Sequence, residues 1–284
     1  MNPDRYFVLG NPVAHSHSPF IHAAFAAQTG QHLLYDRRLC QVGGFEEAVH
    51  ALAADTEGGP VRGCNVTVPF KLEAVRIGAQ TTQRAQQAGA ANVLCFDPAG
   101  WLADNTDGAG LVQDLQAHAG WPLAGQRLLL IGAGGAAAGV LGPLLACGPI
   151  QVVVANRTVD KARALVAAHR ALAARQGVAL VAAGLQDAGE GFDLVINASA
   201  SSLAKAAVPV PDAVLRPGGR AVDLMYGPAA APFLAWAHRQ GAQARDGLGM
   251  LVEQAAEAFF VWRGVRPDTA PVLQALRQQL DRAA

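Results

Sequence analysis

A chain of 284 residues has the length of roughly two domains. At 51% hydrophobic residues it carries enough apolar surface to exclude a disordered chain. Lys+Arg and Asp+Glu both number 22, giving a formal net charge of +0, without the basic excess that a nucleic-acid or anionic-membrane partner requires. Cys40, Cys64, Cys95 and Cys147 are scattered, a pattern of neither a disulfide framework nor a zinc site. With no signal-peptide pattern in the first ten residues, a reducing cytoplasm is the expected location.

In chain order, Tyr6–Leu9 reads as a buried strand and Pro19–Thr29 as a helix closed by Gly30, with Ser18 suited to the N-cap and Pro19 to the first helical position. Leu33–Arg38 is a strand and Phe45–Ala54 a helix; strands follow at Gly63–Val68 and Ala90–Phe96. Beyond Asp107 the apolar strands Arg127–Ile131, Gln151–Ala155, Phe192–Asn197 and Ala221–Leu224 alternate with Ala-rich helical stretches such as Lys161–Arg175. That alternation predicts a parallel sheet covered on both faces. Leu128 to Ala155 has no charge, but its many glycines and two prolines read as strand, glycine turn, helix and strand rather than a membrane span. From Asp246 onward the chain reads as mostly helical.

Residues 128–137, ending Gly132-Ala-Gly134-Gly135-Ala136-Ala137, follow a strand and open a helix in the form G-x-G-x-x-G/A. Gly132 permits the tight turn, Gly134 lets a pyrophosphate approach the backbone, and Ala137 keeps helix and strand close. The next strand ends in Asn156-Arg157-Thr158, where a carboxylate would repel a 2′-phosphate and an arginine offers it a charged fork. NADP is therefore expected over NAD, although Arg157 also suits a solvated helix start.

Ser16 and Ser18 stand where a helix N-terminus favours an anion. His15, His17 and His22 have no acidic or cysteine partner at ligand spacing, so no metal is expected. Lys71, Lys161 and Lys205 are the only lysines among 22 basic residues, and the first lies in Asn65-Val-Thr67-Val-Pro-Phe-Lys71. Lysine can give up a proton near neutral pH and arginine cannot. The companion motifs are Ala91-Asn92-Val93, Asp104-Asn-Thr-Asp107-Gly108 and Asp246-Gly247-Leu-Gly-Met250 with Gln254. On residue type alone Asp107 also suits a turn or cap, and Gln254 a solvent-facing amide.

From Gly10 to Gly264 these motifs, in this order, resemble the shikimate dehydrogenase family. The resemblance implies an α/β protein of two domains: an α/β substrate domain (1–106 plus 246–284) and a doubly wound, Rossmann-type NADP-binding domain (107–245), with the active site in the cleft. It implies reversible NADPH-dependent reduction of 3-dehydroshikimate to shikimate, Lys71 and Asp107 forming the catalytic pair. Ser16 and Ser18 would hold the substrate carboxylate, and Asn65, Thr67, Asn92, Asp107 and Gln254 the ring hydroxyls. Gly132, Gly134, Gly135 and Ala136 would cradle the pyrophosphate, and Asn156, Arg157 and Thr158 would read the 2′-phosphate. Leu224, Tyr226, Gly247 and Met250 would lie around the nicotinamide or the substrate carboxylate. The stretch Asn197-Ala-Ser199-Ala200-Ser201-Ser202-Leu203 departs from the family pattern, having no nearby glycine. A paralogue acting on quinate or an amino analogue, and a non-catalytic NADP-binding sensor, are the competing readings. The expected partner is a small molecule, with no nucleic acid and no membrane; a homodimer is the assembly kept open.

Overall fold

The computed structural model describes residues 2–199 and 208–283. The chain divides into two compact units, one of residues 1–110 and 252–279, the other of residues 111–251 and 280–284. The first unit contains β1 (Asp4–Gly10), α1 (Ser18–Thr29), β2 (Leu33–Leu39), α2 (Phe45–Ala54), β3 (Val61–Val66), α3 (Lys71–Ile77), β4 (Gln80–Thr81), α4 (Gln83–Ala88), β5 (Val93–Cys95) and β6 (Leu102–Asp104). The helix α5 (Asp107–Gln113) carries the chain into the second unit. There follow β7 (Arg127–Ile131), α6 (Gly135–Ala146), β8 (Gln151–Ala155), α7 (Val159–Arg175), β9 (Ala179–Ala183), β10 (Phe192–Asn197), β11 (Leu215–Asp223), α8 (Ala231–Arg239) and β12 (Gln243–Arg245). The chain re-enters the first unit through α9 (Leu248–Arg263) and ends in α10 (Ala270–Ala283).

The first sheet runs β2-β1-β3-β5-β6-β4. β1 pairs in parallel with β2 and β3, while β5 is antiparallel to both β3 and β6. Phe7, Leu9, Val49, Leu52 and the stacked rings of Phe45 and Phe70, 5.0 Å apart, fill one core. Each such buried side chain contributes roughly 1.5–3 kcal/mol. The second sheet is parallel throughout, in the order β12-β11-β10-β7-β8-β9. Strands buried on both faces must be apolar along their whole length, and Leu128 to Ile131 and Val152 to Ala155 are all buried. No helix among the described residues is long and apolar enough to cross a membrane.

Several elements differ from the sequence expectation for identifiable reasons. Ser18 does not cap α1: the N-cap is His17, and the Ser16 hydroxyl accepts the Ser18 N–H at 3.3 Å instead. The strand expected at Gly63–Val68 is Val61–Val66, and the one expected at Ala90–Phe96 is Val93–Cys95. The backbone of residues 90–92 is spent elsewhere, Ala91 N–H bonding Lys71 O at 2.8 Å and Asn92 N–H bonding Asp104 O at 3.0 Å. The strand expected at Ala221–Leu224 is Leu215–Asp223, the fifth of the second unit, extended through a polar Arg216-Pro-Gly-Gly219 that conceals it, and Leu224 lies just beyond it.

His22 of α1 is 1% exposed and stacks on Tyr35, ring centroids 4.2 Å apart and planes 5° from parallel. Neither ring nitrogen has a hydrogen bond among the described residues. Burial pushes its pKa from 6.5 down to about 3; Asn65 nearby favours the charged form too weakly to offset this. Between those values the unfolded chain takes up a proton that the native state refuses. The stability this group contributes is whole above pH 6.5 and falls by up to ~1.4 kcal/mol per pH unit as the pH drops toward 3. Urea unfolding at pH 7 and pH 4.5 should therefore show a smaller acid loss for His22→Phe than for the wild-type chain; equal losses would contradict the assignment.

Candidate active site

Lys71 is the first residue of α3, set by the buried Phe70 that precedes it. Asp107 is the first residue of α5, where a carboxylate is favoured by the helix dipole. Lys71 Nζ donates to Asp107 Oδ2 at 2.6 Å, with side-chain exposures of only 17% and 5%. Removed from bulk water, such a pair persists only if its remaining polar atoms are satisfied. Asp107 Oδ1 accepts from Asn92 Nδ2 at 2.9 Å, and Asp107 N–H is held by Asn105 Oδ1 at 3.1 Å. Among the described residues Asp107 is the sole side-chain partner of Lys71, leaving two ammonium protons for a ligand.

Asn92 is the hub of this cluster. Its Oδ1 accepts from Thr106 N–H at 2.8 Å, which fixes the amide orientation. Its Nδ2 then faces three acceptors within 3.1 Å: Asp107 Oδ1, Gln254 Oε1 and Thr106 Oγ1. Two N–H bonds cannot fully satisfy three acceptors, so a ligand hydroxyl can compete for a place. Asn65 Nδ2 donates to Asn92 O at 3.1 Å and its Oδ1 accepts from the Tyr35 hydroxyl at 2.7 Å. Among the described residues the second Asn65 side-chain N–H has no acceptor.

Ser16 and Ser18 bond each other, Oγ to Oγ, at 3.1 Å, and Arg37 donates through Nε to Ser16 O at 2.9 Å. An exposed guanidinium thus stands beside the serine pair. Thr67 packs against Gly10, where a Cβ would collide with the Thr67 methyl, so Gly10 is needed for close approach. Sequence reasoning passed over Tyr35, Arg37, Asn105 and Thr106 as site residues. Asn105 and Thr106 lay within the Asp104–Gly108 motif, whereas Tyr35 and Arg37 sit in a strand with no local signal.

In the second unit Gly132 has φ +112 and its missing Cβ would lie 3.0 Å from Ala198 O. Ala137 is fully buried. Gly134 is the N-cap of α6, no side chain caps that helix, and nothing lies within 4 Å of where a Gly134 Cβ would be. The first backbone N–H groups of a twelve-residue helix, Gly135 and Ala136 included, are thus available to an anion. Asn156 Nδ2 donates to Thr158 O at 2.8 Å, and Asp160 pairs with Arg163 at 2.9 Å rather than with its neighbour Arg157. Exposed Arg157 has no side-chain partner among the described residues, which fits a phosphate acceptor there.

Gly247 N–H bonds Met225 O at 2.8 Å, and a Cβ on Gly247 would clash with Leu224 O. Met250 is buried, and burial, together with Asp246, raises the Tyr226 phenol above its ordinary value. Of the divergent stretch, Asn197 Oδ1 accepts from the Ser199 hydroxyl at 2.7 Å and Asn197 Nδ2 donates to buried Asp223 at 3.1 Å. Ala200, Ser201, Ser202 and Leu203 lie outside the described residues. No group of three or more His, Cys, Asp or Glu suited to a metal ion occurs among the described residues.

Comparison with known proteins matches three family models: a shikimate dehydrogenase substrate binding domain over residues 8–94, shikimate / quinate 5-dehydrogenase over 114–206, and a shikimate 5′-dehydrogenase C-terminal domain over 247–277. A relative from Methylibium petroleiphilum named shikimate dehydrogenase (NADP(+)) is 62% identical over 99% of this chain and 96% of its own. Among solved structures, an Ael1 enzyme from Pseudomonas putida is 43% identical with a TM-score of 0.84, covering 96% of this chain and 98% of that one. A shikimate 5-dehydrogenase from Thermus thermophilus, in complex with NADP(H) and shikimate, is 31% identical with a TM-score of 0.80, covering 97% and 99%.

The close crossing of α5 and α9 makes one residue of the site intolerant of change. A Cβ at Gly110 would lie 2.5 Å from Gln254 N and 2.8 Å from its Cα, backbone that cannot yield as a flexible side chain does. Gly110→Ala should cost about 1–3 kcal/mol in urea unfolding, the usual penalty of overpacking. An unchanged midpoint would show that the crossing has more room than these distances give.

Proposed function

The chain belongs to the shikimate dehydrogenase family, and from that premise we propose that it catalyses the reversible NADPH-dependent reduction of 3-dehydroshikimate to shikimate, in the cytoplasm, as a step of aromatic amino-acid biosynthesis. The observation that carries the reading is the buried 2.6 Å pair of Lys71 and Asp107 within a cluster of amides and hydroxyls. A binding-only protein has no need to remove such a pair from water. The relatives' names do not favour the quinate, amino-analogue or sensor readings.

In the first unit, Ser16 and Ser18 hold the substrate carboxylate, with Arg37 adding positive charge beside them. Asn65, Thr67, Asn92 and Gln254 hydrogen-bond the ring hydroxyls, a pattern of individually placed groups that discriminates among hydroxy acids. Lys71 directs an ammonium proton at the carbonyl oxygen and stabilises the negative charge that grows there. As the ring carbon is reduced, that proton passes from Nζ to the oxygen; the C=O bond becomes C–O–H and the amine regains a proton from solvent. In the oxidative direction the same amine accepts the hydroxyl proton. Asp107 holds the ammonium in line and receives a hydrogen bond from the reacting hydroxyl.

NADPH, when bound, supplies the hydride. In the second unit Gly132, Gly134, Gly135 and Ala136 offer backbone to its pyrophosphate, and Asn156, Arg157 and Thr158 take the 2′-phosphate. Leu224, Tyr226, Gly247 and Met250 of the same unit would hold the nicotinamide when the cofactor is bound.

The reduced-nicotinamide absorbance should rise when purified protein meets shikimate and NADP, and Lys71→Ala should lower kcat by ~10²–10⁴, the worth of a general acid–base group. A loss below roughly tenfold would remove Lys71 from the chemistry. Arg157→Ala should raise the KM for NADP with kcat little changed and leave any activity with NAD unaffected, because the guanidinium meets only the 2′-phosphate. Equal effects with both cofactors would contradict that assignment.

A further inference from the structure

Arg84, on the short helix α4, is not among the groups assigned to the substrate, yet it ties together two of the segments that build the site. Its Nε and Nη2 grip Asp104 Oδ1 and Oδ2 at 2.7 and 2.5 Å, while Nη1 reaches Glu257 Oε1 at 2.8 Å. Asp104 is 3% exposed at its side chain and also accepts from the Thr82 hydroxyl at 2.5 Å and from Asn105 N–H at 2.7 Å. From there the chain needs three residues to reach Asp107, with Asn105 Oδ1 holding the Asp107 N–H. Glu257 lies one helical turn after Gln254 on α9.

The two arms meet again at Asn92, whose single amide nitrogen serves both Asp107 Oδ1 and Gln254 Oε1. The result is a closed circuit: guanidinium, Asp104, the 104–107 turn, Asp107, Asn92, Gln254, one turn of α9, Glu257, and back to the guanidinium. We infer that Arg84 is a positioning residue that sets where Asp107 and Gln254 stand relative to each other; the inference rests on the reaction proposed above.

The charges support this. Burial acts to raise the pKa of both Asp104 and Glu257, but hydrogen bonds from Arg84, with Thr82 at Asp104 and Arg266 at Glu257, hold both below their ordinary values. Arg266 pairs with the far oxygen of Glu257, at 2.6 Å, so among the described residues Arg84 alone bridges the two carboxylates. A planar fork with donors on three nitrogens can span them in fixed geometry, whereas a lysine is a single point charge.

The two arms can be cut separately. Glu257→Gln weakens the Gln254 arm and should raise the KM for shikimate about tenfold with kcat within about twofold of wild type, since Asp107 keeps its support. Arg84→Met cuts both arms and should raise KM similarly while lowering kcat about tenfold or more. Arg84→Lys should recover only part of the kcat loss. All are measured at a temperature where circular dichroism shows the variants folded. A readout needing no substrate accompanies them: the Asn92 side-chain amide protons of the free protein should lose exchange protection in Arg84→Met. If the variants only lower Tm, with kcat, KM and Asn92 protection unchanged, the positioning role is overturned. If the wild-type chain does not turn over shikimate, the proposed reaction fails, while the Asn92 protons still decide for or against the clamp.

Discussion

The structure of the first unit depends on keeping an ammonium and a carboxylate together away from bulk water. Desolvating two ions costs several kcal/mol each, and their attraction repays it only with good geometry and hydrogen bonds on every remaining atom. Asp107 meets that condition within the protein, held by Lys71, Asn92 and Asn105, while the remaining Lys71 protons are left for a ligand. Asn92, Asn105 and Thr106 are nearly fully buried, and each makes bonds that either touch Asp107 or orient something that does. Amides and hydroxyls serve here because they solvate a charge in fixed positions without adding one.

The two units solve different problems with different backbones. The second is a parallel sheet whose strands Leu128–Ile131 and Val152–Ala155 are apolar and buried, and its site is made of backbone: an uncapped helix start, a glycine at φ +112 and an arginine with no partner among the described residues. The first is a mixed sheet, and its site is made of side chains. A pyrophosphate suits the former because every nucleotide presents the same charge, while a particular pattern of hydroxyls must be read by individually placed groups.

Legibility in the sequence followed this difference. Arg127–Ile131, Gln151–Ala155, Phe192–Asn197 and the helix Phe45–Ala54 match the structure residue for residue, because long apolar runs and an amphipathic helix announce themselves locally. The glycine loop was readable for the same reason, and Lys71 stood out in a chain that otherwise chooses arginine. The short strands at 80–81, 102–104 and 243–245 were not, since two or three residues carry no period. Arg84, Tyr35 and Arg37 were invisible as well. Their importance lies in partners distant in sequence, 173 positions away in the case of Arg84 and Glu257. Ser18 shows a subtler limit: its residue type suits an N-cap, yet the helix begins one residue earlier and Ser16 supplies the hydroxyl.

The central claim is that Lys71 and Asp107 act as one unit, and a double-mutant cycle on kcat tests it most directly. Groups that work as a unit lose most of their effect when either is removed, so Lys71→Ala combined with Asp107→Ala should be about as slow as the slower single variant. If the two losses instead multiply in full, the residues act independently and the account of the site is wrong.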